Sequence, residues 1–91
     1  MKKFYLIRYT KNQGRINKTL EGIGVGLLKL WALQNTTSTT ESIIFDEDGV
    51  IVFHCVGKKN SCPVCEYDLV DDNIEDYVPG ILLSLKEGVN A

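Results

Sequence analysis

The chain has 91 residues, enough for one domain and too few for two, so we predict a single domain over residues 1–91. Hydrophobic residues make up 44% and charged residues 24% of it, proportions that exclude an intrinsically disordered protein. Residues 1–40 hold seven basic residues and one acidic residue, a charge of +6, whereas residues 41–91 hold three basic and eleven acidic residues, a charge of −8. Either the two halves neutralise each other on one surface, or the molecule has a basic face and an acidic face.

The apolar segments are too short for a signal peptide or a membrane span. The first apolar run ends at Arg8, whereas a signal peptide needs about 7–15 apolar residues. The longest apolar stretch, residues 23–33, contains Lys29 and falls short of the roughly 20 residues that span a bilayer. We therefore expect a cytoplasmic protein with no membrane partner. Three cysteines in that compartment favour free thiols, a metal or redox chemistry over a disulfide framework.

The first two predicted elements are a strand and a helix. Residues 3–10 are good strand formers and end at a turn signal over residues 11–14. A helix is predicted over residues 19–34, where these side chains recur at helical spacing: Leu20, Ile23, Leu27, Leu30 and Trp31. Gly22, Gly24 and Gly26 each weaken its first half by about 1 kcal/mol relative to alanine. Either that half is not helical, or another segment approaches its backbone closely.

The remaining elements are predicted to be mostly strands. Residues 41–56 form a hairpin, in which Gly49 supplies the positive φ that a short loop needs. Residues 66–70 form a further short strand. An apolar stripe over residues 74–85 predicts a helix that Pro79-Gly80 interrupts. The predicted fold is α+β, with the order β-α-β-β-(β)-α and two helices packed on one face of a small, mainly antiparallel sheet.

The turn Cys62-Pro63-Val64-Cys65 is the feature that most suggests chemistry. It resembles half of a zinc ribbon or rubredoxin-type site, although Glu66 stands where such turns usually have glycine and the second C-x-x-C is missing. The resemblance implies structural zinc bound by Cys55, Cys62 and Cys65, with His54, Asp68 or a second copy of the chain completing the site. His54 and Cys55 are neighbours on a strand, so both can bind one ion only if the strand ends or bulges there.

Two other interpretations of the cysteines stay open. C-P-x-C resembles the active-site turn of glutaredoxin-like proteins, which implies thiol–disulfide exchange, but the acidic residues that follow do not favour a helix. Alternatively, Cys55 is an apolar core residue, and Cys62 and Cys65 are reduced thiols in a loop.

Nucleic-acid binding has limited support. The basic residues that would carry it are Lys2, Lys3, Arg8, Lys11, Arg15 and Lys18. The aromatic residues among them lie in a predicted core strand, and the overall charge is negative, so we do not expect direct nucleic-acid binding.

The sequence favours a small, non-enzymatic protein-binding or regulatory module. Structural zinc would stabilise this module, and two copies could form a homodimer. The non-enzymatic prediction rests on the absence of a nucleophile–base pair and of a complete phosphate-binding loop. One alternative is an inhibitor whose acidic C-terminal half mimics nucleic acid, through Asp46, Glu47, Asp48, Asp68, Asp71, Asp72, Glu75 and Asp76. The other alternative is a thiol oxidoreductase that uses Cys62 and Cys65.

Overall fold

The computed structural model describes residues 2–87, in which five strands form one antiparallel sheet with the order β2-β1-β3-β4-β5. The strands are β1 (Phe4–Thr10), β2 (Ile16–Gly22), β3 (Thr40–Asp46), β4 (Ile51–Val56) and β5 (Val64–Glu66). Helix α1 (Gly26–Asn35) connects β2 to β3, and a 3-10 helix (Ile74–Asp76) and helix α2 (Ile81–Lys86) follow β5. The predicted α+β class is confirmed, and β3 lies at the centre of the sheet.

The segment before α1 differs from the prediction. Residues 16–22 form strand β2, which pairs with β1, and only the second half of the predicted helix over residues 19–34 is helical. The glycines fit this difference, because Gly22 ends β2, Gly24 lies in the bend that follows, and the helix begins only at Gly26, after these poor helix formers. A side-chain carbon at Gly24 or Gly26 would have nothing within 4 Å, so a close approach to these two glycines is not the reason for them.

The two helices cover opposite faces of the sheet, so the prediction that both pack on one face is wrong. On the face that we call the α1 face, Leu28 and Ala32 pack in a cluster with Ile44. On the other face, the α2 face, Ile81 packs in a cluster with Phe45. Successive side chains of a strand point to opposite faces, so the uninterrupted apolar runs in β1 and β3 give the sheet two apolar faces. Both faces therefore need a cover.

The predicted hairpin over residues 41–56 is present as β3 and β4. Gly49 lies in its turn with φ 91°, the positive value predicted for it. Ile44 pairs with Phe53 and Phe45 with Ile51, so Val52 is an extra residue that bulges from the ladder. The bulge places Ile51 on the α2 face and Phe53 on the α1 face, although they are two residues apart.

The C-terminal part crosses the α2 face with little regular structure. The short strand predicted over residues 66–70 is shifted, because β5 spans Val64–Glu66. Backbone hydrogen bonds then attach the chain to the hairpin, from Asp71 to Ile51 at 2.9 Å and from Ile74 to Gly49 at 2.8 Å. Gly80 adopts φ 85° directly before α2, so Pro79-Gly80 interrupts the helix as predicted.

Glu75 fixes the start of α2. Its two carboxylate oxygens accept hydrogen bonds from the backbone N–H of Gly80 at 2.8 Å and of Leu82 at 2.9 Å. These bonds favour the charged form and lower the pKa of the Glu75 carboxyl. Because the pKa is lowered by folding, the carboxylate stabilises the fold fully above its unfolded-state value of about 4.3. The contribution is lost as the pH falls through the lowered pKa.

We expect Glu75→Ala to reduce the melting temperature at pH 7, because both N–H groups lose their acceptor. The difference from the wild type should narrow as the pH falls from the unfolded-state pKa of about 4.3 through the lowered pKa of Glu75. Thermal unfolding followed by circular dichroism between pH 2.5 and 7 measures this. Asp76→Ala, at an exposed neighbouring position, is the control and should show no such convergence. A Glu75→Ala deficit that is the same at every pH would contradict this role.

Candidate functional site

The three cysteines lie around the edge strand β5. Cys62 is exposed in the loop before β5, Cys65 is partly exposed within it, and Cys55 is buried in β4. Cys65 is the direct partner of Cys55 in the β4–β5 register. Burial raises the pKa of the Cys55 thiol, so this group stays protonated and behaves as a small apolar side chain. All three are free thiols.

The predicted zinc ligands do not converge. His54 and Cys55 follow one another in an unbroken part of the β3–β4 register, opposite Ile43 and Ser42, so their side chains point to opposite faces. Cys55 belongs to the cluster on the α1 face, whereas His54 contacts Glu41 on the α2 side. Asp68 is exposed beyond β5. Across residues 2–87, no three His, Cys, Asp or Glu side chains are grouped closely enough to hold a metal ion.

A hydrogen-bonded network of three side chains lies at one end of the α2 face. The Oε2 atom of Glu41 accepts a hydrogen bond from the Tyr9 hydroxyl and lies 3.2 Å from Nε2 of His54. Nδ1 of His54 is buried with no hydrogen-bond partner among the described residues. Burial and the bond to Glu41 raise the pKa of Tyr9 above its usual range, so its hydroxyl keeps its proton at neutral pH.

A cavity of about 220 Å³ opens beside this network, lined by Tyr9, Gly14, Ile16, Ile43, Tyr77 and Val78. Its two titratable lining groups are tyrosines: burial and then the hydrogen bond to Glu41 raise the pKa of Tyr9, and the hydrogen bond to Asp72 raises the pKa of Tyr77. Neither is therefore a useful general base near pH 7. The cavity is lined mainly by apolar side chains and is suited to holding an apolar group.

The sequence carried only part of the signal for this network. Glu41 and His54 fall on the two strands of the predicted hairpin, and in the observed register Ile43 lies opposite His54, two residues from Glu41. Diagonal neighbours of this kind lie within reach of long side chains. Tyr9 was not predictable, because its place beside Glu41 depends on β1 pairing with β3, a contact between distant parts of the chain.

The outer face of α1 is the most distinctive surface of the molecule. Leu28 and Ala32 are buried against the sheet, yet Leu27 on the opposite side of the helix is 81% exposed and Leu30 is 50% exposed. Leu33 on α1 and Ile23 just before it are also exposed. A helix that is apolar on all sides is normally buried on all sides. We call Ile23, Leu27, Leu30 and Leu33 the α1 outer patch. Neither helix within residues 2–87 is long and apolar enough to cross a membrane.

Cations border the α1 outer patch. Lys29 lies on α1 itself, with its Nζ 5.5 Å from the ring centre of Phe53. The Arg8 guanidinium lies 5.1 Å from the Trp31 ring and donates to the carbonyl oxygen of Asn35 at 2.9 Å. Lys18 pairs with Arg8 in the β1–β2 register and therefore shares its face. The acidic segment of residues 68–76 lies across the α2 face, where Ile74 is buried. Part of the basic half thus lies on the α1 face and part of the acidic half on the α2 face, whereas Lys2 of the basic half pairs with Asp46 of the acidic half at 3.4 Å.

Comparisons with protein-family models, curated proteins and solved structures found no match for this chain.

Proposed function

We propose that the chain is a protein-binding module whose contact surface is the α1 outer patch. The observation that carries the proposal is the exposure of Leu27 and Leu30 on a ten-residue helix whose other side is already anchored in the core. Burying a leucine side chain contributes about 1.5–3 kcal/mol, so leaving several exposed side by side has a cost that a binding partner removes. Leu28 and Ala32 anchor the helix on the sheet before any partner binds, which keeps the ordering cost of binding low.

The partner that fits is a protein with an apolar groove bordered by carboxylates. An isolated helix that presents leucines is recognised by lying in an apolar groove. Lys29 on α1 and Arg8 over Trp31 place positive charge beside the patch, so acidic residues on the rim of the groove would speed association and fix its orientation. A membrane surface fits less well, because α1 carries a single cation and membrane-surface helices are rich in lysine and arginine.

The test uses the double variant Leu27→Asp/Leu30→Asp, with Tyr67→Asp/Leu83→Asp as its control. The control also replaces two exposed apolar side chains, but away from α1. Each tagged chain is used to capture proteins, and any captured protein is then purified and titrated against the untagged chain. Trp31, the single tryptophan, lies on α1 and reports binding by its fluorescence. We expect Kd to rise at least about 100-fold in the α1 variant, the effect of losing two leucine anchors.

The expected result also includes weaker binding at higher salt for the wild type and unchanged binding for the control variant. Equal Kd values for the wild type and the α1 variant would contradict the proposal. Two other results would also contradict it if no other protein is bound. In one, the wild type binds anionic lipid vesicles and the α1 variant does not. In the other, the wild type forms a homodimer and the α1 variant is a monomer. Circular dichroism must show the same fold for all three chains.

The two alternatives from the sequence have less support in the structure. For a nucleic-acid mimic, Asp46 and Glu75 are not available to a partner, because Asp46 accepts bonds from Asp48 and Val50 and Glu75 holds the start of α2. For a thiol oxidoreductase, the segment after Cys62 is strand β5, which supplies no helix dipole to stabilise a thiolate. Structural zinc and a cytoplasmic location stay predictions, and native mass spectrometry with and without a chelator tests the former.

A further inference from the structure

We propose that Cys55 and Cys65 are a site of reversible oxidation, and that they form a cross-strand disulfide by exchange with a low-molecular-weight disulfide of the glutathione type. This pair differs from the Cys62-Pro63-Val64-Cys65 turn that the sequence draws attention to. It does not depend on the protein-binding role of α1.

The strand register supplies the geometry for the bond. Cys55 and Cys65 are directly opposite each other in the antiparallel β4–β5 ladder, so their side chains leave the sheet on the same face. Both belong to the apolar cluster under α1. Opposed residues in antiparallel strands have Cα atoms about 4.5–5.5 Å apart, which lies inside the range of about 4.4–6.8 Å found for disulfides. The bond therefore needs rotation of side chains and no separation of the strands.

The exposure of the two sulfurs sets the order of the steps. Cys65 is partly exposed and meets the external disulfide first, because Cys55 is fully buried. The Cys65 thiol loses its proton to solvent, and its thiolate attacks one sulfur of the external disulfide and releases the other half as a thiolate. Cys55, which is protonated in the resting protein, then gives its proton to the released thiolate, attacks the Cys65 sulfur and releases the second half. Two protein thiols are oxidised, one external disulfide is reduced to two thiols, and the released thiolates take up the two protons.

Oxidation would stabilise the pairing of the edge strand β5 with β4. β5 has three residues and, within residues 2–87, pairs with β4 alone, through His54–Glu66, Cys55–Cys65 and Val56–Val64. The disulfide closes a loop over residues 55–65, which contains the exposed loop and Cys62. Local opening of β5 would then require the covalent bond to break, so the backbone N–H groups of residues 64–66 should exchange more slowly.

The experiment incubates the full chain with oxidised glutathione at pH 8, blocks the remaining thiols with an alkylating agent and maps the unreduced peptides by mass spectrometry. We expect a Cys55–Cys65 link as the main product in the wild type and to the same extent in Cys62→Ser. Cys55→Ser/Cys62→Ser should stop at the mixed disulfide of Cys65 with glutathione. Hydrogen exchange of residues 64–66 should slow on oxidation and recover after reduction.

Two results would overturn the proposal. One is a Cys62–Cys65 link as the main product in the wild type, which would place the redox pair in the turn. The other is complete alkylation of all three cysteines under conditions that oxidise an unstructured dithiol peptide. Both results are measured on the wild-type chain, so neither depends on whether a variant folds.

Discussion

Gly57→Ala should lower the free energy of unfolding by about 3 kcal/mol or more. Gly57 follows β4 and is buried against the segment that leaves α1, where an added side-chain carbon would overlap the carbonyl group of Thr37. The overlap is with backbone, so no rotation of a side chain relieves it. Lys11 closes the same junction, since its Nζ donates to the carbonyl oxygens of Gly57 at 2.7 Å and Ser38 at 3.2 Å.

Urea unfolding followed by circular dichroism measures the effect of Gly57→Ala. Gly24→Ala is the matched control, because nothing lies within 4 Å of the added carbon there, and its stability should change by no more than about 0.5 kcal/mol. Equal stability of the two variants would show that residues 37 and 57 are not in close contact. The segment that follows α1 would then not pack against the end of β4 as the structure shows.

Phe45→Ala should cost about 3–5 kcal/mol, the usual effect of removing a fully buried aromatic side chain. Phe45 lies on the central strand β3 with no exposed surface, and its ring centre is 5.9 Å from that of Tyr5. It belongs to the cluster that also holds Ile74 and Ile81, so it anchors the C-terminal part on the α2 face. A domain of this size has a total stability of about 5–15 kcal/mol, so this loss is a large part of it.

Thermal and urea unfolding of Phe45→Ala measure that loss. Tyr67→Ala removes an aromatic side chain that is 76% exposed and should change stability by no more than about 0.5 kcal/mol. A loss for Phe45→Ala below about 1 kcal/mol would contradict the assignment of β3 as the centre of the core.

Local signals in the sequence were sufficient for the central hairpin. Apolar residues flank an acidic turn with Gly49, and the positive φ of this glycine is the conformation that such a turn requires. β1 was predictable for the same reason, because a run of strand formers ends at a turn signal. These elements depend on residues close in sequence, where propensity and pattern agree.

The elements that the sequence left ambiguous depend on contacts between distant residues. Leu20 fits a helical stripe as well as the alternation of a strand, and its pairing with Leu6 decides the matter. The prediction that both helices pack on one face of the sheet did not take account of the consecutive apolar residues in Tyr5-Leu6-Ile7 and Ile43-Ile44-Phe45. Consecutive apolar residues in a strand face both sides of the sheet, so the sheet needs a cover on each side.

The exposure of the α1 outer patch could not be predicted from the sequence. Leu27 and Leu30 looked like part of a core stripe, since apolar residues at helical spacing usually face inward. The structure shows that Leu28 and Ala32 occupy the inward positions, and that leaves the leucines around them exposed. Only the position of the helix on the sheet distinguishes a buried stripe from an exposed one.

Amide hydrogen exchange of the chain, alone and saturated with a purified captured protein, tests the docking role of α1 most directly. If the α1 outer patch is the contact surface, exchange should slow within α1 (Gly26–Asn35) on binding. Exchange within α2 (Ile81–Lys86), on the opposite face, should not change. Slower exchange in α2 with no change in α1 would contradict the proposed function.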